Sequence, residues 1–165
     1  MSLMSPPGVP AGAADKALQT ALAAEQAAAY GYGVIGAHLA GAERAAAAAD
    51  WIAHQVSRDQ LAGLLRSRGA DPAAAAVAYR LPVPVQTAGQ AMALAVILEE
   101  RVCAGYLSLV AISDRALRTL GAQQIRQSAL RAAAWRGATV AFPGLPASAL
   151  ERRPAAVTRG PRARG

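Results

Sequence analysis

Two glutamates stand where a helix would normally place apolar side chains. Glu25 falls in the stripe Leu18, Leu22, Ala29, Tyr32, Gly36 and Leu39. Glu99 falls in the stripe Met92, Val96, Cys103, Tyr106 and Val110, again at spacings of three and four. A tyrosine follows each glutamate by seven residues, Tyr32 after Glu25 and Tyr106 after Glu99, which makes a weak internal repeat. A carboxyl group on a core-facing stripe must be neutral, paired, hydrogen-bonded or metal-bound, because burying a bare charge is very costly. Two chemistries follow. In the first, Arg58 and Arg131 pair with Glu25 and Glu99, while Tyr32, Tyr106, Gln124 and Gln127 complete a buried polar network. In the second, Glu25 and Glu99 join Asp50 and His54, spaced i, i+4, in a reduced metal site, since imidazole and carboxylate suit iron, manganese or zinc.

Other chemistries find little support. Cys103 lies on the Glu99 stripe with no histidine beside it in sequence, and reads as a small buried hydrophobe. Serine, histidine and aspartate are too few for a hydrolase triad, and no glycine-rich phosphate loop follows a strand. The glycines of GYGVIGAHLAG lie within a helical pattern and are expected at close helix–helix contacts. His38 is expected at the surface, and Glu100 and Arg101 toward solvent or an interface.

Four helices are expected to carry these residues. The first runs from an Asp15 N-cap to about Gly41, the second from about Ala42 to Arg68 with Gly69 as its stop. Residues 69–86 contain Pro72, Pro82 and Pro84, and LPVPV must be extended because each proline restricts its predecessor. Thr87 caps the third helix, Ser113-Asp114 breaks the chain, and the fourth helix runs from Arg115 to Arg136 before Gly137; FPGLP closes the domain. Short turns make antiparallel hairpins of helices 1–2 and 3–4, whereas the middle gap, reaching ~60 Å when extended, suffices to cross a bundle end to end. The fold class is therefore all-α: a ferritin-like four-helix bundle, two antiparallel hairpins joined by a long crossover between helices 2 and 3.

Composition agrees. The 165 residues hold 45 alanines, 16 arginines, one lysine and one cysteine, with 54% hydrophobic but only 4% aromatic residues. That suits one helical domain, and excludes a disulfide scaffold, a β-sandwich and a disordered chain. The net charge of +7 suggests a polyanion partner, yet five arginines sit in the last fourteen residues, and residues 1–151 carry twelve basic and ten acidic groups. The tail reads most simply as a solvated terminus; nucleic acid is not the expected partner, and only the tail offers a basic run to bind it. The segments are a 1–14 N-terminal tail, with 1–3 reading as a vector scar, a 15–146 bundle, and a basic 147–165 tail. No stretch is apolar for the ~20 residues that a membrane helix needs, and the default location is the cytoplasm.

The segments AAEQAAAYGYGVIGAHL, HQVSRDQLAGLLRSRGADP and ALAVILEERVCAGYLSLV, with the proline-rich crossover and AFPGLP, resemble a bacterial family of ferritin-like domains of unknown function. The resemblance covers residues 15–146. It implies that Glu25 and Glu99 match the two single glutamates of a di-iron centre. Neither Glu-x-x-His pair is present; Asp50 and His54 are four apart, and the fourth helix offers only Gln124 and Gln127 there. The expected function is a non-catalytic oligomerising or partner-binding bundle with a degenerate metal site and no cofactor. The alternative is an oxidoreductase or iron-handling protein using iron or manganese on the reduced centre, and enzymatic activity stays open. Because alanine buries little area, a homodimer through Ala-rich faces, on helix 1 or 3, is expected to add burial.

Overall fold

The structure, a computed structural model, describes residues 11–137. Residues 1–10 of the expected N-terminal tail, FPGLP and the basic C-terminal tail lie outside the described residues, while 11–14 form the first turn of α1. Four α-helices account for the fold: α1 (Ala11–Ala37), α2 (Gly41–Ser67), α3 (Ala88–Val110) and α4 (Arg115–Arg136). The described residues contain no strand.

The helix ends follow local chemistry. Thr87 accepts a hydrogen bond from the Gln90 amide, and the Gln90 side chain reaches back to accept from the Gln86 amide, a reciprocal arrangement close to a capping box. Asp114 accepts from the amides of Ala116 and Leu117 at 2.8 and 3.2 Å. At the far end of α4, Gly137 takes φ 73°, a left-handed conformation that glycine adopts without a Cβ penalty. The first helix differs from the expectation. It is already helical from Ala11, so Asp15 is no N-cap; its carboxylate lies 2.6 Å from Arg68 at the start of the crossover.

Contacts across the bundle fix helix directions. Glu25 faces His54 and Gly36 faces Arg44, so α1 and α2 are antiparallel. Tyr32 meets Glu99 and Tyr106 meets Glu25, so α1 and α3 are antiparallel as well. Cys103 meets Ile125 and Glu99 meets Arg131, which makes the α3–α4 pair antiparallel. α2 and α3 then run the same way, and residues 68–87 must return along the bundle. They do so on α1. Gln19 clamps the strap with both ends of its amide, donating to the Asp71 carbonyl at 2.6 Å and accepting from the Ala73 amide at 3.0 Å. Gln26 donates to the Ala73 carbonyl at 2.8 Å, Tyr79 packs on Tyr30, and Leu81, Val83 and Val85 reach the cluster of Tyr32, Ile35 and Leu39. From Asp15 to Ile35 this is a climb of about 30 Å along the helix axis.

The core has two apolar clusters, one around Leu18, Leu22, Leu61, Leu65 and Leu109, the other around Tyr32, Ile35, Leu94 and Leu98. Gly105 sets the α1–α3 spacing: a Cβ there would stand 2.7 Å from the Ala24 Cβ. In GYGVIGAHLAG only Gly31 meets another helix, against Leu98; Gly33 and Gly36 face open space, contrary to expectation.

Candidate functional site

Between the apolar clusters lies a buried layer of polar side chains with His54 at its centre. His54, Glu25 and Glu99 are all fully buried. His54 Nδ1 lies 2.7 Å from Glu25 Oε2, and Nε2 lies 3.0 Å from Glu99 Oε1. Tyr106 donates to Glu25 Oε1 at 2.8 Å. Glu99 Oε1 collects two further donors, Tyr32 Oη at 2.7 Å and Arg131 Nε at 2.9 Å. Glu99 Oε2 is buried and has no partner among the described residues.

The sequence places these groups together because three stripes converge at one height. Glu25 and Tyr32 are two turns apart on α1, as are Glu99 and Tyr106 on the antiparallel α3, so each tyrosine reaches the other helix's glutamate. α2 inserts His54 between them, and α4 brings Arg131 from the side. Burial alone would lower the His54 pKa; the hydrogen bonds to Glu25 and Glu99 outweigh it and push it up to about 9. Burial works against ionised Glu99 as well, but the His54 hydrogen bond, with the charges of His54 and Arg131, holds its carboxyl below the usual range. Both tyrosine hydroxyls are pushed upward, first by burial and then by the neighbouring carboxylates, so they act as donors.

The layer reaches the surface at Asp50 and Arg131. Asp50 accepts from the Trp135 indole at 2.9 Å and touches Tyr32 Oη at 3.4 Å. Its Oδ1 lies 3.9 Å from Arg131 Nε. Burial raises the Asp50 pKa, partly offset by the Trp135 hydrogen bond. Asp50 and Arg131 are each 18% exposed and line a cavity of about 530 Å³ between α2 and α4.

Of the residues expected in a polar network, the structure brings together Glu25, Tyr32, Glu99, Tyr106 and Arg131. Three stand apart. Arg58 turns outward and pairs with Asp59 at 2.8 Å. Gln127 is exposed, and half-buried Gln124 makes no contact with the carboxylates. The inner face of α4 is instead Leu117, Gly121, Ser128 and Ala132. Gly121 lets α4 approach Leu109 and Tyr106 closely, and small residues of this kind carry no hydrophobic signal in a sequence. His54 is the residue whose network role the sequence left unread: its helix shows apolar side chains on two sides, and the Leu61 and Leu65 side proves to be the buried one. Trp135 and Ser128 also went unread; Ser128 Oγ lies 3.2 Å from Arg131 Nη2.

All four metal candidates, Glu25, Asp50, His54 and Glu99, lie in or beside this layer, but the arrangement does not fit a metal. Both His54 nitrogens are engaged by carboxylates, and a guanidinium sits on Glu99 where a cation would have to bind. Among the described residues no group of three or more His, Cys, Asp or Glu side chains is arranged to hold a metal ion. No described helix is long and apolar enough to cross a membrane.

Comparison with known proteins adds family but no activity. The family model described as Domain of unknown function (DUF4439) matches residues 17–147. No curated protein matches the chain. Among solved structures, the crystal structure of a conserved hypothetical protein, Rv2844, from Mycobacterium tuberculosis is similar with a TM-score of 0.74 and 30% sequence identity. The likeness covers 76% of this chain and 96% of that one.

Proposed function

The chain belongs to the family of the domain of unknown function DUF4439, and from that premise we propose that it is a ferritin-like bundle with a degenerate metal site, acting as a non-catalytic, self-associating domain. The observation that carries this reading is the position of His54. Its ring bridges Glu25 and Glu99 at 2.7 and 3.0 Å, so an imidazolium balances the two carboxyl groups that a di-iron centre would use for iron. Arg131 adds a second cation on Glu99. A buried layer paired in this way, with only Glu99 Oε2 left over among its named atoms, specifies the relative register of four helices, and needs no reaction to explain its residues.

Self-association draws on α2. Trp51, Ile52 and Val56 are 42%, 57% and 62% exposed on that helix, beside the exposed alanines of its first turns. The sequence expectation places the interface on α1 or α3; this reading favours α2, whose Ile52 and Val56 are the more exposed. Two copies joined through α2 would remove these side chains from water. The proposed protein is a homodimer without bound cofactor, and a cytoplasmic location fits its single cysteine.

Elemental analysis after anaerobic loading with iron or manganese tests the site. The expected result is less than stoichiometric metal. Stoichiometric metal lost in Glu25→Ala would establish the second reading, a reduced oxidoreductase or iron-handling centre on Glu25, His54 and Glu99, which draws on the convergence of those three residues. Light scattering tests the assembly: a dimer is expected at micromolar concentration, with Ile52→Glu/Val56→Glu monomeric. A strictly monomeric wild-type chain would remove self-association from the proposal.

A further inference from the structure

The cavity between α2 and α4 is where the buried layer meets solvent. Its volume of about 530 Å³ lies in the range of small-molecule sites, ~300–1,000 Å³. The walls are apolar: Ala46 and Ala49 of α2, Ala134 and Trp135 of α4, with Met92 of α3. Three charged side chains also line it, Asp50, Arg131 and Glu43. Among the described residues, Asp50 uses only Oδ2 as a hydrogen-bond acceptor, leaving Oδ1 open. Arg131 spends Nε on Glu99 and Nη2 on Ser128, leaving Nη1. One open acceptor and one open donor therefore belong to neighbouring side chains that line the same apolar space, with Asp50 Oδ1 3.9 Å from Arg131 Nε.

The class of ligand follows by elimination. A simple anion would meet Arg131 but also two carboxylates. A simple cation would meet Asp50 and Glu43 but sit against the guanidinium. A neutral apolar molecule would cover Asp50 Oδ1 and Arg131 Nη1 and give neither a hydrogen bond, which is costly. A molecule with an ammonium and a carboxylate side by side satisfies both, and an apolar body fits the alanine, methionine and indole walls. We propose that this cavity binds a small zwitterion of the apolar amino-acid type, its ammonium on Asp50, its carboxylate on Arg131 and its side chain over Met92 and Trp135.

The test is a titration of the full chain with L-phenylalanine, followed by the NMR signal of the Trp135 indole N–H, which is bonded to Asp50 and is identified by its persistence in Trp51→Phe. A saturable shift is expected. Phenethylamine, which lacks the carboxylate, and hydrocinnamate, which lacks the ammonium, should each bind at least about tenfold more weakly, because each leaves one polar group of the site unpaired. Ala46→Phe fills the cavity from an exposed helix position, away from the buried layer, and should abolish the shift while leaving the helical circular dichroism intact. The proposal is overturned if L-phenylalanine, L-leucine and L-methionine all fail to give a saturable shift up to about 10 mM. It is equally overturned if phenethylamine or hydrocinnamate binds as tightly as L-phenylalanine, or if Ala46→Phe binds as the wild type does.

Discussion

Tyr106 of α3 donates a 2.8 Å hydrogen bond to Glu25 of α1, the counterpart of the 2.7 Å bond from Tyr32 of α1 to Glu99 of α3. The exchange is nearly symmetric, yet its two halves are unequally backed. Glu99 keeps His54 and Arg131 as donors when Tyr32 is removed, whereas Glu25 keeps only His54 when Tyr106 is removed. Tyr106→Phe should therefore cost more than Tyr32→Phe, about 2–3 kcal/mol against about 1–2, on the scale of hydrogen bonds to charged groups. Urea unfolding of the two variants decides the order, and equal losses would contradict it.

His54 makes stability fall with rising pH. Its folded pKa of about 9 lies above its ordinary value of 6.5, so the folded chain holds a proton that the unfolded chain releases between them. The contribution is complete below about 6.5 and disappears as pH rises through about 9, a loss of about 3 kcal/mol. Glu99 acts in the other direction: its lowered pKa gives stability that is present above the ordinary carboxylate range and lost as pH falls. The stability maximum is expected in mildly acidic solution, between about pH 5 and 6.5. Denaturation curves across pH 4–10 measure it, and the alkaline fall should be absent in His54→Leu, itself less stable by roughly 3–5 kcal/mol.

Two glycines that both lie between α1 and α3 should respond differently to alanine. At Gly105 the new Cβ would meet the Ala24 Cβ, which cannot move without its helix, and the Thr20 carbonyl stands 3.5 Å away. At Gly31 it would meet the end of the Leu98 side chain, which can rotate. Overpacking costs about 1–3 kcal/mol, while Gly→Ala in a helix returns up to about 1. Gly105→Ala is expected to lose about 1–2 kcal/mol and Gly31→Ala to stay within about 1 of wild type, measured by thermal or urea unfolding.

Two aspartates test what a cap is worth. Asp114 satisfies two amides at the start of α4, and Asp114→Ala should cost about 1 kcal/mol. Asp15 lies inside the first turns of α1 and caps nothing; it holds Arg68 in a partly exposed ion pair, and Asp15→Ala should cost no more than about 0.5 kcal/mol. A larger loss at Asp15 than at Asp114 would contradict both assignments.

That pair also shows what the residues disclose alone. The starts of α3 and α4 and the end of α4 are written in side chains that bond locally, Thr87, Asp114 and Gly137, and are legible within four residues. The start of α1 is not, because Asp15 is engaged by a residue 53 positions away. Glu25, Tyr32, Glu99 and Tyr106 were legible because α1 and α3 carry unbroken apolar stripes. α4 was misread at Gln124 and Gln127 because its inner face is made of Gly121, Ser128 and Ala132. The role of His54 needed the tertiary arrangement, since α2 leaves Ile52 and Val56 in water and so hides which of its sides is the inner one.

Cys103, the only thiol in the sequence, is fully buried on α3 with its Sγ 3.5 Å from the Ile125 carbonyl, and burial pushes its pKa up to about 11. A thiol reagent in neutral solution can therefore reach it only when α3 and α4 part. The chain carries its own gauge of breathing: the rate at which this sulfur becomes alkylated counts openings of the second hairpin, with no label added and no residue changed.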